Sequence, residues 1–228
     1  MEKAVALVSG GLKSAVMVAA ERERSDLLVL HIETGSRSSA AERTAFGELC
    51  AKLDLPNPTV VSLPHVVDMI DHLWFDRGAS ASDLEIQAEI LDAYVPGLMP
   101  TMLGVAVLYA VRCRARRILV GACESVATAP RPAPAAPDQR REFYQVYNEM
   151  LATAVPAFTP EVVTPLIDLP PADIVRLGQR LRAPLEVTWS CLAASDGPCG
   201  RCAGCRARAV SFLQAGMADP AISPARIP

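Results

Sequence analysis

The sequence predicts an α/β fold: a doubly wound, mostly parallel five-stranded sheet with a small C-terminal four-cysteine segment packed on it. Three observations predict this. Short apolar runs without alternation, such as Ala4–Val8 and Leu27–Ile32, read as strands buried on both faces. Stretches with helical spacing alternate with them, as in a parallel sheet with crossover helices. Four of the chain's seven cysteines crowd between Cys191 and Cys205. A chain of 228 residues suits one such domain with an appendage, and the division is expected near residue 185.

Taken in order, Ala4–Val8 is the first strand and Ala15–Arg22 the first helix. Leu27–Ile32 is the second strand, and Glu33–Arg37 is the loop at its C-terminal end. The spacing predicts a helix over Ser39–Leu53, with Phe46, Leu49 and Leu53 on one side and Ser39 as its cap. Pro56-Asn57-Pro58 ends it, and Thr59–Leu63 is the third strand. Between Pro64 and Asp83, His65, His72, Trp74 and Phe75 line a pocket or cover the core. Val95–Pro100 reads as a proline-bounded break before an apolar helix over Thr101–Val111. Arg112, Arg114, Arg116 and Arg117 follow, where cations suit the helix dipole. Arg117–Ala122 is the fourth strand, and the Pro- and Ala-rich stretch 127–137 is an irregular loop. A helix over Arg141–Leu151 precedes a fifth strand, Glu161–Ile167, read as an edge strand because Pro165 cannot donate to a central ladder. Ile174, Leu177 and Leu181 mark a last amphipathic helix within Asp168–Arg182, and the tail from Ala218 is expected to be loosely held.

Composition excludes several classes. A formal net charge of -3 offers no general electrostatic attraction for nucleic acid or an acidic membrane surface. The longest uncharged stretch, 93–111, is interrupted by Pro96, Gly97 and Pro100 and is too short beyond them to span a bilayer. The start, Met1-Glu2-Lys3, runs directly into a strand and lacks the pattern of a secretory signal, so a cytoplasmic location is expected.

In doubly wound sheets ligands bind beyond the C-terminal ends of the strands. That rim collects the turn after the first strand, the loop Glu33–Arg37 and the stretch after Leu63. The first of these, Val8-Ser9-Gly10-Gly11-Leu12-Lys13-Ser14, has small residues between a strand and a helix start. Unpaired N–H groups at a helix N-terminus favour an anion. Gly10 and Gly11 are expected to turn the chain with positive φ and to let a phosphate approach, while Ser9 and Ser14 add hydroxyl donors. The spacing matches neither the Walker loop nor Gly-x-Gly-x-x-Gly.

The second signal is Cys191-x7-Cys199-Gly-Arg-Cys202-Ala-Gly-Cys205. Four thiolates complete a closed tetrahedral site, for which zinc is the usual metal; an iron–sulfur cluster also uses four cysteines. Gly200 and Gly204 are expected to supply the bends. With all four positions filled by protein, a metal here is structural and activates no water. Cys50, Cys113 and Cys123 read as buried free thiols.

The first motif resembles the PP-loop of the N-type ATP pyrophosphatases, Ser-Gly-Gly-x-Asp-Ser, with Lys13 where that pattern has Asp. Together with the cysteine cluster it resembles the 7-cyano-7-deazaguanine synthase family, QueC. That family has Pro-Asp-Cys-Arg-x-x-Phe after the fourth strand, like Pro137-Asp138-Gln139-Arg140-Arg141-Glu142-Phe143. It has Thr-Pro-Leu, like Thr164-Pro165-Leu166, and Pro-Leu-x-x-Thr-Trp-Ser-Cys, like Pro184–Cys191. The chain departs from the pattern at Lys13, at Leu98-Met99 in place of Arg-Asn, and at Cys123–Pro130 in place of an Asp-Tyr-Ser-Gly-Tyr type of segment.

The resemblance implies an adenine-nucleotide-α-hydrolase-like fold with a nucleotide-binding domain over 1–185 and a zinc-binding segment over 186–228. It implies that ATP adenylates the carboxylate of 7-carboxy-7-deazaguanine, that ammonia displaces AMP, and that a second activation gives the nitrile preQ0, a queuosine precursor. The candidate nucleotide-binding residues are Val8, Ser9, Gly10, Gly11, Leu12, Lys13, Ser14, Gly35, Arg37 and Gly121. The candidate catalytic residues are Ser9, Lys13, Ser14, Asp138 and Arg140, and the candidate metal ligands are Cys191, Cys199, Cys202 and Cys205. ATP, structural zinc and magnesium are the implied cofactors, and a homodimer is the implied assembly, with no nucleic acid or membrane partner. Lysine cannot ligate magnesium as an acid would, but it can contact phosphate directly. The alternative function is a nucleotide- or protein-binding member without turnover, or a repurposed enzyme joining a deazaguanine acid to another amine.

Overall fold

The computed structural model describes residues 1–70, 94–125, 136–194 and 196–221. Five strands form one parallel sheet in the order β3-β2-β1-β4-β5. They are β1 (Glu2–Leu7), β2 (Ser25–Glu33), β3 (Thr59–Ser62), β4 (Arg117–Val120) and β5 (Glu161–Val163). β1 is central, and Val5, Ala4 and Ala6 are fully buried because both faces are covered. The strand order reverses between β1 and β4, which places a topological switch point at the C-terminal end of β1.

Among the described residues six α-helices cover the sheet: α1 (Leu12–Glu21), α2 (Ser39–Lys52), α3 (Leu98–Cys113), α4 (Arg141–Ala154), α5 (Pro171–Arg180) and α6 (Ala203–Ala215). On one face Met17, Val16, Phe46, Leu49, Ile174 and Phe212 pack with β1 residues Ala4 and Ala6. On the other, Leu103, Ala106, Ala110, Tyr144 and Leu151 pack with Val5, Leu30 and Ile118. Alternate residues of one strand therefore feed opposite cores.

Several boundaries differ from the sequence reading, each for a local reason. Ser39 is the first residue of α2, and Ser38 precedes it; the Ser38 hydroxyl donates to Glu42 Oε1 at 2.7 Å, not to a backbone amide. α3 begins at Leu98, so Pro100 lies in its first turn, where its missing N–H has no intrahelical partner to lose. β5 ends at Val163, before Pro165, and still lies at the sheet's edge. Of the arginines after α3, Arg112 sits in its last turn. Arg117 reaches Glu21 instead, at 3.4 Å, and Arg116 covers the Phe158 ring. Cys50 and Cys123 are buried as expected, while Cys113 is partly exposed. His72, Trp74 and Phe75 and nearly all of the 127–137 loop lie outside the described residues, as does the tail from 222; His65 is exposed. Among the described residues no helix is long and apolar enough to cross a membrane.

Candidate functional site

The turn after β1 is built by glycines with different tasks. Gly10 has φ +82°, and a Cβ there would stand 2.6 Å from the Glu42 carbonyl oxygen and 3.0 Å from Phe46 N. Gly11 does not share the left-handed geometry expected of it: it is extended, with φ -81°, and stands at the N-cap of α1. One glycine thus makes the turn and the other begins the helix.

The serines hold this corner closed. Gly11 N–H donates to Ser9 Oγ at 3.2 Å, and Ser14 Oγ donates to the Gly11 carbonyl at 2.9 Å. The two hydroxyl oxygens are 3.3 Å apart, and since Ser14 has spent its proton, Ser9 is the donor between them. The first α-helical bond runs from Ala15 N–H to the Gly11 carbonyl. The amides of Leu12, Lys13 and Ser14 have no acceptor among the described residues. They form the open positive end of α1.

This corner opens into a cavity of about 500 Å³ at the switch point. Val8, Ser9, Gly11, Leu12, Lys13 and Ser14 all line it, and so do Gly121 and Asp138. Gly121 closes the far side of the corner: a Cβ there would come within 3.0 Å of Lys13 C and Ser14 N. Gly10 lies behind the loop, against α2. The structure does not bring Gly35, Arg37 or Arg140 to the wall formed by the described residues. Gly35, with φ +80°, turns the chain between β2 and α2. Arg37 Nε donates to the Ala193 carbonyl at 3.4 Å, and Arg140 supplies the N-cap of α4. Val95, Leu98, Met99, Met102 and Ile32 make another part of the wall apolar.

Lys13 Nζ donates to Gln139 Oε1 at 3.0 Å. Burial lowers the lysine pKa below its usual value, against the opposing fields of Cys123 and Asp138. Burial in turn raises the Asp138 carboxyl, against a hydrogen bond from Gln139 and the charge of Lys13. The segment carrying both is anchored from below: the buried Tyr144 hydroxyl donates to the Asp138 carbonyl at 2.8 Å, and Glu124 Oε1 accepts the Arg141 amide at 2.8 Å. Gln139 stands where the QueC pattern has Cys, so two departures from one pattern, Lys13 and Gln139, touch each other. The sequence reading missed Gln139. It also missed Glu42, a cavity-lining acid whose carboxyl burial pushes up.

The four cysteines come together. Their Sγ atoms all lie within 4.8 Å of one another, with Cys199–Cys205 and Cys191–Cys202 at 4.0 Å. Sulfurs about 2.3 Å from one tetrahedral ion are about 3.8 Å apart, so the knot fits a single zinc-sized ion. A multi-iron cluster places its own metal atoms between the ligands and needs a wider opening. Backbone amides aim at the sulfurs: Cys199 N–H at Cys191, Cys202 N–H at Cys199, and both Leu192 and Cys205 N–H at Cys202, each at 3.4 Å. Such donors favour thiolate over thiol, the form that binds metal. Gly200 has the expected positive φ, +75°. Gly204 supplies no bend; it lies in the first turn of α6, where a Cβ would fall 2.0 Å from the Ser190 carbonyl oxygen.

The knot and the loop are joined. Trp189 N–H donates to the Gly10 carbonyl at 3.0 Å, and Trp189 Nε1 donates to the Cys191 carbonyl at 2.7 Å. Beneath them, Arg208 of α6 is buried in a fork with Asp219, at 2.5 and 2.8 Å. It also donates to Thr188 O, Thr188 Oγ1 and Leu185 O.

Comparison with known proteins follows the same lines. A family model described as queuosine biosynthesis protein QueC matches residues 3–216. The 7-cyano-7-deazaguanine synthase of Koribacter versatilis is 34% identical over 223 residues, covering 96% of this chain and 92% of its own. That of Campylobacter curvus is 30% identical over 221 residues, covering 96% of each. A solved structure, the U34-tRNA thiolase NcsA from Methanococcus maripaludis with its [4Fe-4S] cluster, aligns over 93% of this chain and 65% of its own at 15% identity and TM-score 0.49.

Proposed function

The chain belongs to the QueC family of queuosine biosynthesis proteins, and from that premise we propose that it is an ATP-dependent enzyme that activates and amidates the carboxylate of a 7-deazaguanine acid. The acid is 7-carboxy-7-deazaguanine or a close relative. Relatives of similar length and about the same identity throughout carry the name 7-cyano-7-deazaguanine synthase, which supports this substrate class. The observation that carries the reading is the open amide end of α1 on the cavity wall, at the switch point of the sheet.

The chemistry is as follows. A carboxylate oxygen of the acid bonds to the α-phosphorus of ATP, and the bond to pyrophosphate breaks. The product is an acyl adenylate. Ammonia nitrogen then bonds to the acyl carbon, AMP leaves with the bridging oxygen, and the nitrogen loses a proton. Activation is needed because a carboxylate oxygen is a poor leaving group and AMP a good one. In a second activation the amide oxygen bonds to the α-phosphorus of another ATP as pyrophosphate leaves; AMP then departs with that oxygen, the nitrogen loses its two protons, and the nitrile forms. In this reading the amides of Leu12, Lys13 and Ser14 hold the departing pyrophosphate by preorganised donation. Lys13 adds a point charge, and Ser9 and Ser14 keep the loop in shape. In this reading Asp138, on the cavity wall and with its carboxyl pKa raised by burial, takes a proton from the attacking nitrogen. Cys191, Cys199, Cys202 and Cys205 would hold one zinc ion, which would brace the fold and take no part in the reaction.

The test is direct. Purified protein is incubated with ATP, magnesium, ammonia and 7-carboxy-7-deazaguanine, and AMP, pyrophosphate and the amide are measured. AMP formation that depends on the acid supports the reading. Retention of ATP without AMP would favour the nucleotide-binding alternative, for which Lys13 in the loop is the motivating residue.

A further inference from the structure

Lys13 raises a question of charge. A nucleotide polyphosphate carries about three or four negative charges, and a divalent cation held by carboxylates commonly offsets them. Among the described residues, the one group of three or more potential ligands that could hold a metal ion is the cysteine knot. Among the described residues the acids on the cavity wall are Glu42 and Asp138, which come from separate elements. Glu42 already accepts the Ser38 hydroxyl, and Asp138 shares its corner with the Lys13 ammonium, whose field repels a second cation.

The wall instead carries a built-in cation. Lys13 follows the first residue of α1, beside the open amides, and its Nζ is held by Gln139 Oε1 at 3.0 Å. The tether is a neutral carbonyl, so it positions the ammonium without cancelling its charge. A phosphate oxygen is the stronger partner, because a bond between two charged groups outweighs one to a neutral amide. Gln139 sits on a segment fixed by Tyr144 and Glu124, so the ammonium is kept at the cavity until an anion takes it over.

We infer that this cavity binds its nucleotide polyphosphate as the metal-free anion, with the Lys13 ammonium in place of a divalent cation and Gln139 as its resting partner. The inference rests on the reading that the α1 corner holds a nucleotide. It deepens that reading by naming the form of the ligand: a nucleoside triphosphate, or inorganic pyrophosphate, free of magnesium.

The zinc-loaded full chain, desalted to remove unbound metal, is titrated calorimetrically with ATP and with inorganic pyrophosphate, in buffer free of divalent cations and in excess magnesium. The expected affinity without magnesium is within about threefold of that with it. Lys13→Ala is expected to weaken metal-free binding by about tenfold or more, the worth of one charge-assisted bond. Lys13→Arg keeps most of the affinity, and Lys13→Asp binds only when magnesium is present. Circular dichroism and zinc content check that each variant is folded. Wild-type binding that tightens more than about threefold on adding magnesium overturns the inference, as does a folded Lys13→Ala that binds unchanged without it. If neither ligand binds under either condition, the nucleotide reading of the cavity falls and takes this inference with it. Acid-dependent AMP formation that strictly requires magnesium, beyond any effect on the ammonia step, sinks the inference alone.

Discussion

Gly10 and His31 both lie against Phe46 of α2 and illustrate how single residues are constrained behind the loop. Gly10 has no tolerated replacement, because its left-handed φ and the backbone of α2 both exclude a Cβ. His31 is 1% exposed near the C-terminal end of β2. Its Nδ1–H donates to the Val8 carbonyl at 2.8 Å, its ring stacks on Phe46 at 4.8 Å, and Nε2 has no partner among the described residues. Burial lowers its pKa below 6.5, outweighing the bond to Val8. The folded protein therefore holds His31 neutral where the unfolded chain takes up a proton. Its contribution to stability is complete above about pH 6.5 and is lost as the pH falls from there toward the folded pKa. Urea midpoints measured from pH 8 to pH 5 should fall on the acid side in the wild type, and less steeply in His31→Gln. Parallel curves for the two proteins would rule this account out.

At the scale of elements, α6 is tied to the segment 185–190 through one guanidinium. Arg208 and Asp219 have 6% and 8% exposed side chains, so their pair is buried, and the guanidinium also lies over the Phe212 ring. Removing one partner of a buried pair strands the other's charge and typically costs about 3–5 kcal/mol. The remaining bonds of Arg208 to Thr188 and Leu185 favour the low end. Asp219→Ala is predicted to lower Tm by about 10 °C, at a few degrees per kcal/mol in a chain of this size. Asp219→Asn, which keeps one acceptor, should lose less. A change under about 2 °C in the alanine variant would mean that the fork is not under this constraint. The same element shows why Gly204 is glycine: it lets the first turn of α6 approach Ser190, which brings Cys205 to the other three sulfurs.

Across the whole molecule, the four-cysteine knot and the loop at the head of α1 are one mechanical unit. Trp189 bonds to both, through Gly10 and Cys191, so the C-terminal cysteines brace a loop that is formed by residues 9–14. Elemental analysis is predicted to find about one zinc per chain. Stripping it with a strong chelator should lower thermal stability and also weaken ATP binding, because the loop loses its brace. Stability that is unchanged in demonstrably metal-free protein would refute the structural role. Loss of stability with ATP affinity preserved would refute the coupling.

The sheet, its strand count, the edge position of β5 and the helices were legible from the chain because their signals are local. A run such as Ala4–Val8 carries its burial on both faces in its own composition. The loop motif and cysteine spacing were legible for the same reason, since neighbouring residues share one turn. Contacts between distant residues were not. Lys13 meets Gln139 across 126 positions, Arg37 meets Ala193 across 156, and nothing near any of the four residues announces the other. Left-handed φ at Gly10 and extended φ at Gly11 were likewise indistinguishable in the sequence, because glycine permits both and only the approach of α2 selects between them. By itself, then, the sequence determined the fold class, the small-residue corner at the head of the first helix and the cluster of four cysteines. The tertiary structure alone decided which of the candidate residues share the cavity, that a lysine and a glutamine are paired on its wall, and that the knot and the loop support each other, because packing brings together groups that the chain keeps far apart.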